Sequence, residues 1–158
     1  MPFQRKRDGI HLALADHERA LVGDLTRQLV ELLDEGDSQD PALARLIPDG
    51  YSGDDDEMRS AAAEFRRLTA DDLTAAKARN AERVIETLVQ DRRQPLGLES
   101  EQAWLRTLTD LRLTLASRLG VTADGYEAQT GDPQTLLMRD IYEWLGYVQE
   151  SLVRALDR

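Results

Sequence analysis

The chain contains no cysteine. That excludes disulfides, thiolate metal ligands, thiol nucleophiles and a thiol switch of its own. Histidine occurs only as His11 and His17, and lysine only as Lys6 and Lys77. Positive charge is in short supply: 20 basic against 30 acidic residues give a net charge of −10. Such a field repels phosphate backbones and anionic membranes, so neither unaided nucleic-acid binding nor membrane binding is expected. No apolar run approaches the roughly 20 residues of a membrane helix. The basic Arg5-Lys6-Arg7 is not followed by an apolar stretch of signal-peptide length, so a cytoplasmic location is expected. Aromatic residues make up only 5%. Leu, Ala, Glu and Arg abound instead, a composition that favours helix.

At 158 residues the chain has the length of one domain, enough to bury roughly 70% of its unfolded surface. Residues 1–15 read as a β-hairpin, because Asp8-Gly9 separates two apolar-alternating arms. Helices are expected over 16–35, 41–47, 58–68, 70–91, 101–119 and 133–156. Asp16 is the expected cap of the first, and Leu21, Val22, Leu25, Leu29, Leu32 and Leu33 its buried stripe. Pro41 and Pro133 open two others, Thr69-Ala70-Asp71-Asp72 separates the third from the fourth, and Ser100 caps the fifth. The predicted fold is therefore all-α: a single-domain bundle of four long and two short helices, with a small N-terminal hairpin packed on it.

Enzyme templates mostly fail. There is no phosphate-binding glycine loop and no dinucleotide fingerprint. Gly50-Tyr51-Ser52-Gly53 is too short for a nucleophile elbow. His17-Glu18 begins a zinc-binding H-E-x-x-H, but Leu21 stands where the second ligand belongs. Both histidines are expected to face solvent. Asp54-Asp55-Asp56-Glu57 lacks the alternate ligands and dividing glycine of a calcium loop, as does Asp124-Gly125-Tyr126-Glu127. No catalytic, cofactor or metal site is assigned. A helix-turn-helix over residues 59–91 is disfavoured by an overlong, acid-rich second helix.

Polar residues interrupt the apolar stripes at a few positions. Lys77 and Asn80 fall on the face set by Leu73, Val84 and Leu88. Arg112 projects between Leu105 and Leu119, and Asp140 borders the stripe Leu137, Ile141, Trp144, Val148 and Leu152. Charges removed from water need partners. Lys77, Asn80, Arg112 and Asp140 are therefore the candidate polar cluster, with Glu143 the second choice as carboxylate for Arg112. Such a cluster is either an ion pair fixing helix register or a pocket for a small anion or a proton. A cavity open to solvent beside it would favour the pocket. The last helix carries a second row, Tyr142, Gly146, Gln149 and Val153. Gly146 costs a helix about 1 kcal/mol against alanine and needs a reason. Either another element of the chain approaches it closely, or the row is a seam for a homodimer or partner.

Two stretches resemble a known family. One is Trp104-Leu105-Arg106-Thr107-Leu108-Thr109-Asp110-Leu111-Arg112-Leu113 with Arg118-Leu119-Gly120. The other is Tyr142-Glu143-Trp144-Leu145-Gly146-Tyr147-Val148-Gln149-Glu150-Ser151-Leu152. With Asp40-Pro41-Ala42-Leu43-Ala44-Arg45-Leu46-Ile47-Pro48 and Glu64-Phe65-Arg66-Arg67-Leu68-Thr69, they are similar to an actinobacterial family. That family, long a domain of unknown function, is labelled AosR-like oxidative-stress transcriptional regulator. The likeness covers essentially the whole chain. It implies a non-enzymatic regulator acting through protein contacts, with an alternative sigma factor as a partner. It also implies a thiol-based oxidant response, and here the chain departs from it, having no cysteine. The competing expectation is a small-molecule binder or enzyme built on the Lys/Arg/Asp cluster.

Overall fold

The structure is a computed structural model that describes residues 1–37, 39–48, 60–122, 125–126 and 132–157. Strands β1 (Phe3–Lys6) and β2 (Gly9–Leu12) form an antiparallel hairpin, with Phe3 opposite Leu12 and Lys6 opposite Gly9. Gly9 sits at φ 135°, and a Cβ there would come within 3.2 Å of Pro95 Cβ, so the position demands glycine twice over. The hairpin is held by the far end of the chain. Ser151 Oγ accepts from Phe3 N–H at 3.0 Å, and Arg5 Nε donates to the Ala155 carbonyl at 2.8 Å. On its other edge Leu96 N–H donates to the Ile10 carbonyl at 2.8 Å.

His11 corrects one expectation. It is buried, not solvent-facing, because β2 is covered along Ile10, His11 and Leu12. Its Nε2 lies 2.7 Å from Asp8 Oδ1, and this partner makes the burial tolerable. His17 is exposed as expected.

Helix α1 (Asp16–Glu35) has the expected bounds, but its cap is Ala15. Glu18 accepts the Ala15 N–H at 2.8 Å, so a first-turn carboxylate does the capping while Asp16 pairs with Arg92. Helix α2 (Pro41–Leu46) starts on Asp40, whose Oδ1 accepts from Ala42 N–H at 2.9 Å. It stops one residue earlier than expected. Asp40 also takes a two-pronged bond from Arg118, at 2.6 and 2.9 Å, which fastens the start of α2 to a residue 78 positions further along the chain. That guanidinium holds the Asp40 carboxyl below its ordinary 3.8.

Two expected helices, 58–68 and 70–91, are one. Helix α3 runs unbroken over Ser60–Val89, 30 residues. Thr69 does not cap a new helix, because its hydroxyl bonds back to the Phe65 carbonyl four residues earlier, at 2.9 Å. No glycine or proline interrupts the segment, so nothing forces a break. Helix α4 (Leu98–Leu119) begins three residues before the expected start, on Gly97 rather than Ser100, and ends on Gly120 at φ 71°. A short ladder pairs β3 (Val121–Thr122) with β4 (Gly125–Tyr126). Helix α5 (Pro133–Leu156) has the expected bounds. The described residues thus hold four long helices and one short one. Gly50, Tyr51, Ser52, the acids at 54–57, Met58, Asp124 and Glu127 lie outside them.

The core centres on α4, which packs on α1, α2, α3 and α5. Trp104 is fully buried and meets Phe3 edge-on, 5.3 Å between centroids. Its indole N–H donates to Thr87 Oγ1 at 2.8 Å. Leu29, Val84, Leu108, Leu145, Val148 and Leu152 complete the interior. Leu137, expected inside, is exposed, because α5 first packs on the core cluster at Ile141 and Trp144. Among the described residues no helix is long and apolar enough to cross a membrane.

Candidate functional site

Helix α3 runs antiparallel to both α1 and α4. Arg19 Nη1 donates to the Leu88 carbonyl at 2.8 Å, Trp104 meets Thr87, and Lys77 meets Asp110. The last contact is the strongest polar feature between the helices. Lys77 Nζ donates to Asp110 Oδ1 at 2.7 Å, with side chains 19% and 3% exposed. Burial pushes the Asp110 carboxyl above its ordinary 3.8, and the lysine only partly opposes this.

Beside the pair opens a cavity of about 330 Å³. Leu73, Ala76 and Leu105 supply its apolar wall, Asn80 and Thr109 its polar rim. Asn80 and Arg106 continue into a wider depression, about 560 Å³, toward Leu98. The site therefore offers an ammonium already committed to a carboxylate, next to a hollow open to solvent. It can hold a small polar group or an apolar knob, but it presents no activated nucleophile.

The candidate cluster divides here. Lys77 and Asn80 share the α3–α4 cavity. Arg112 lies on another flank of α4, facing α5. Asp140 is exposed. It sits about half a turn around α5 from Gln149, on the edge away from Arg112. Among the described residues Arg112 makes no ion pair. Its Nη1 donates to Gln149 Oε1 at 3.4 Å, and its guanidinium lies over the Tyr142 ring, 4.8 Å from the centroid. Its Nε is buried without an acceptor. Glu143 is exposed and forms an i,i+4 pair with Arg139.

The same arginine explains Gly146. A Cβ there would lie 3.2 Å from Arg112 Nη2 and 3.4 Å from Cζ. Gln149 adds a bond from its Nε2 to Thr109 Oγ1 at 2.7 Å. Tyr142, Gly146 and Gln149 thus meet α4 within the chain, the first of the two alternatives for this row. Val153 stands apart, 43% exposed.

Asp110 was missed by the stripe argument. The signal was a second row at helical spacing, Ala103, Thr107 and Asp110, all buried. A helix surrounded by four others buries a wider arc than one apolar stripe reveals. Among the described residues no group of three or more His, Asp or Glu side chains could hold a metal ion.

A family described as domain of unknown function (DUF2017) matches residues 1–156. "Oxidative stress regulator AosR" of Mycobacterium tuberculosis (strain ATCC 25618 / H37Rv) is 30% identical over 183 residues, covering 95% of this chain and 84% of its own length. The protein of the same name from Mycobacterium bovis (strain ATCC BAA-935 / AF2122/97) matches to the same extent. A relative from Mycobacterium leprae (strain TN) is 31% identical across 90% of this chain and 80% of its own. No solved structure matches significantly.

Proposed function

The chain belongs to the DUF2017 family, and on that premise we propose that it is a regulator in the response to oxidative stress. It acts through protein contacts rather than catalysis, and its partner is an alternative sigma factor. The observation that carries this reading is the extent of kinship. Relatives named as oxidative stress regulators align with 90–95% of the chain. The partner follows from the family resemblance of the α4 and α5 segments. The net charge of −10 supports action on a protein rather than on DNA directly.

Without cysteine, oxidant sensing falls to the partner or to another component. The test uses purified chain, purified sigma factors and core RNA polymerase. One sigma factor should bind the chain, and transcription from its promoters should change in vitro. Failure of every sigma factor to bind overturns the partner assignment. Peroxide should not alter binding through this chain's own disulfides. A peroxide effect on the isolated protein that dithiothreitol reverses would refute that.

The solvent-open cavity beside Lys77 favours a second reading, a binder of small anions. Asp110 opposes it by occupying the ammonium. Thermal-shift measurements with small carboxylates and phosphate on wild type and Lys77→Met separate the two readings.

A further inference from the structure

The start of α3 extends beyond the helices it packs on. Counting from the Lys77–Asp110 and Trp104–Thr87 contacts, the last residue of α4 comes about level with Ala70. Ala70 is also buried, whereas none of residues 61–69 is. Phe65 is 70% exposed, Leu68 59% and Leu73 40%. A helical overhang this short is marginal in water unless something covers it.

We propose that this overhang pairs antiparallel with the same segment of a second copy of the chain, each Phe65 docking against the other copy's α3–α4 cavity. The sequence is self-complementary about Thr69. With the two-fold axis there, Phe65 of one copy comes level with Leu73 of the other, at the apolar wall of the 330 Å³ cavity formed with Ala76 and Leu105. Arg66 comes level with Asp72, and Leu68 with Ala70. Charge supports the same register. Glu64, Arg66 and Arg67 make the overhang net basic in an acidic protein, and Asp71 and Asp72 make the next turn acidic. Antiparallel pairing brings each basic block onto an acidic one, and two-fold symmetry makes every contact twice. A basic partner helix would meet the overhang's own arginines, so a second copy fits better. The inference stands apart from the regulatory reading, since it concerns self-association alone.

Sedimentation of the full chain across the micromolar range tests it. Wild type should show a concentration-dependent dimer. Phe65→Glu lies at an exposed position, so it should leave the melt unchanged at concentrations where both proteins are monomeric and weaken the dimer by about tenfold or more. Arg66→Asp alone and Asp72→Arg alone should each weaken it, because like charges then face each other twice. An equimolar mixture of the two should recover a mixed dimer, since each repulsive pair becomes attractive. A protein that stays monomeric throughout overturns the proposal. So does a dimer indifferent to Phe65→Glu, or a mixture that associates no better than its components.

Discussion

Replacing Lys77 with methionine leaves the Asp110 carboxylate without its cation in a site where the side chain is 3% exposed. Stranding one member of a buried pair costs about 3–5 kcal/mol. The lower end applies here, because Lys77 is itself 19% exposed and the adjoining cavity lets water approach. A loss near 3 kcal/mol at neutral pH corresponds to a melting point lower by about 6–12 °C for a domain of this size. The reverse deletion should be milder. In Asp110→Asn the ammonium can swing into the cavity, and about 1 kcal/mol is expected. The double variant Lys77→Met with Asp110→Leu should return close to wild type. pH sharpens the test. The folded Asp110 carboxyl titrates above 3.8, so its contribution to stability is full below that value and is lost as pH rises through the folded pKa. Removing Lys77 lets burial act unopposed and enlarges that loss. The penalty of Lys77→Met should therefore be large at neutral pH and shrink toward about pH 4. Urea unfolding with an unchanged slope provides the measurement. An equal penalty at both pH values, or one under about 1 kcal/mol at neutral pH, refutes the reasoning.

Thr87→Val removes the acceptor of the buried Trp104 indole N–H and should cost about 1–3 kcal/mol in equilibrium unfolding followed by tryptophan fluorescence. Gly146→Leu drives a side chain into Arg112 and should lower the thermal midpoint by the equivalent of about 1–3 kcal/mol. Asp40→Asn keeps a capping oxygen but loses the ion pair with Arg118. Because the Asp40 carboxyl is held below 3.8, its contribution is present above that value and lost as pH falls through the depressed pKa. The gap between wild type and Asp40→Asn should therefore narrow in acid, as urea midpoints measured against pH will show.

The sequence made legible those elements whose own residues determine their ends. Gly36 and Pro133 bound helices that the structure reproduces, and Asp8-Gly9 marks the hairpin. It was misleading where a polar residue had two uses. Thr69 has the chemistry of a cap, yet its hydroxyl serves equally well bonded back along a continuous helix. The candidate site was half legible. Lys77 does point inward, but its partner came from the wide buried arc of α4 and not from α5. Asp140 and Gln149 lie on opposite edges of the α5 stripe, and which of those edges meets α4 is a tertiary fact that periodicity does not contain. The same holds for His11, whose burial depends on what covers the hairpin.

The bonds from β1 to Ser151 and Ala155 also bear on the order in which the fold can be completed. During synthesis the hairpin leaves the ribosome well before the wall it docks against. Until α5 has emerged, Phe3 has no Ser151 to hold it and Trp104 lacks its edge-on neighbour in place. Contacts of such sequence separation form late and slowly. A nascent chain stalled before α5 would expose that wall of the core and be open to chaperones and proteases. Completion of the last helix is thus the event that closes the interior, so a frameshift or nonsense product ending even a few turns early should be degraded rather than accumulate as a partly active fragment.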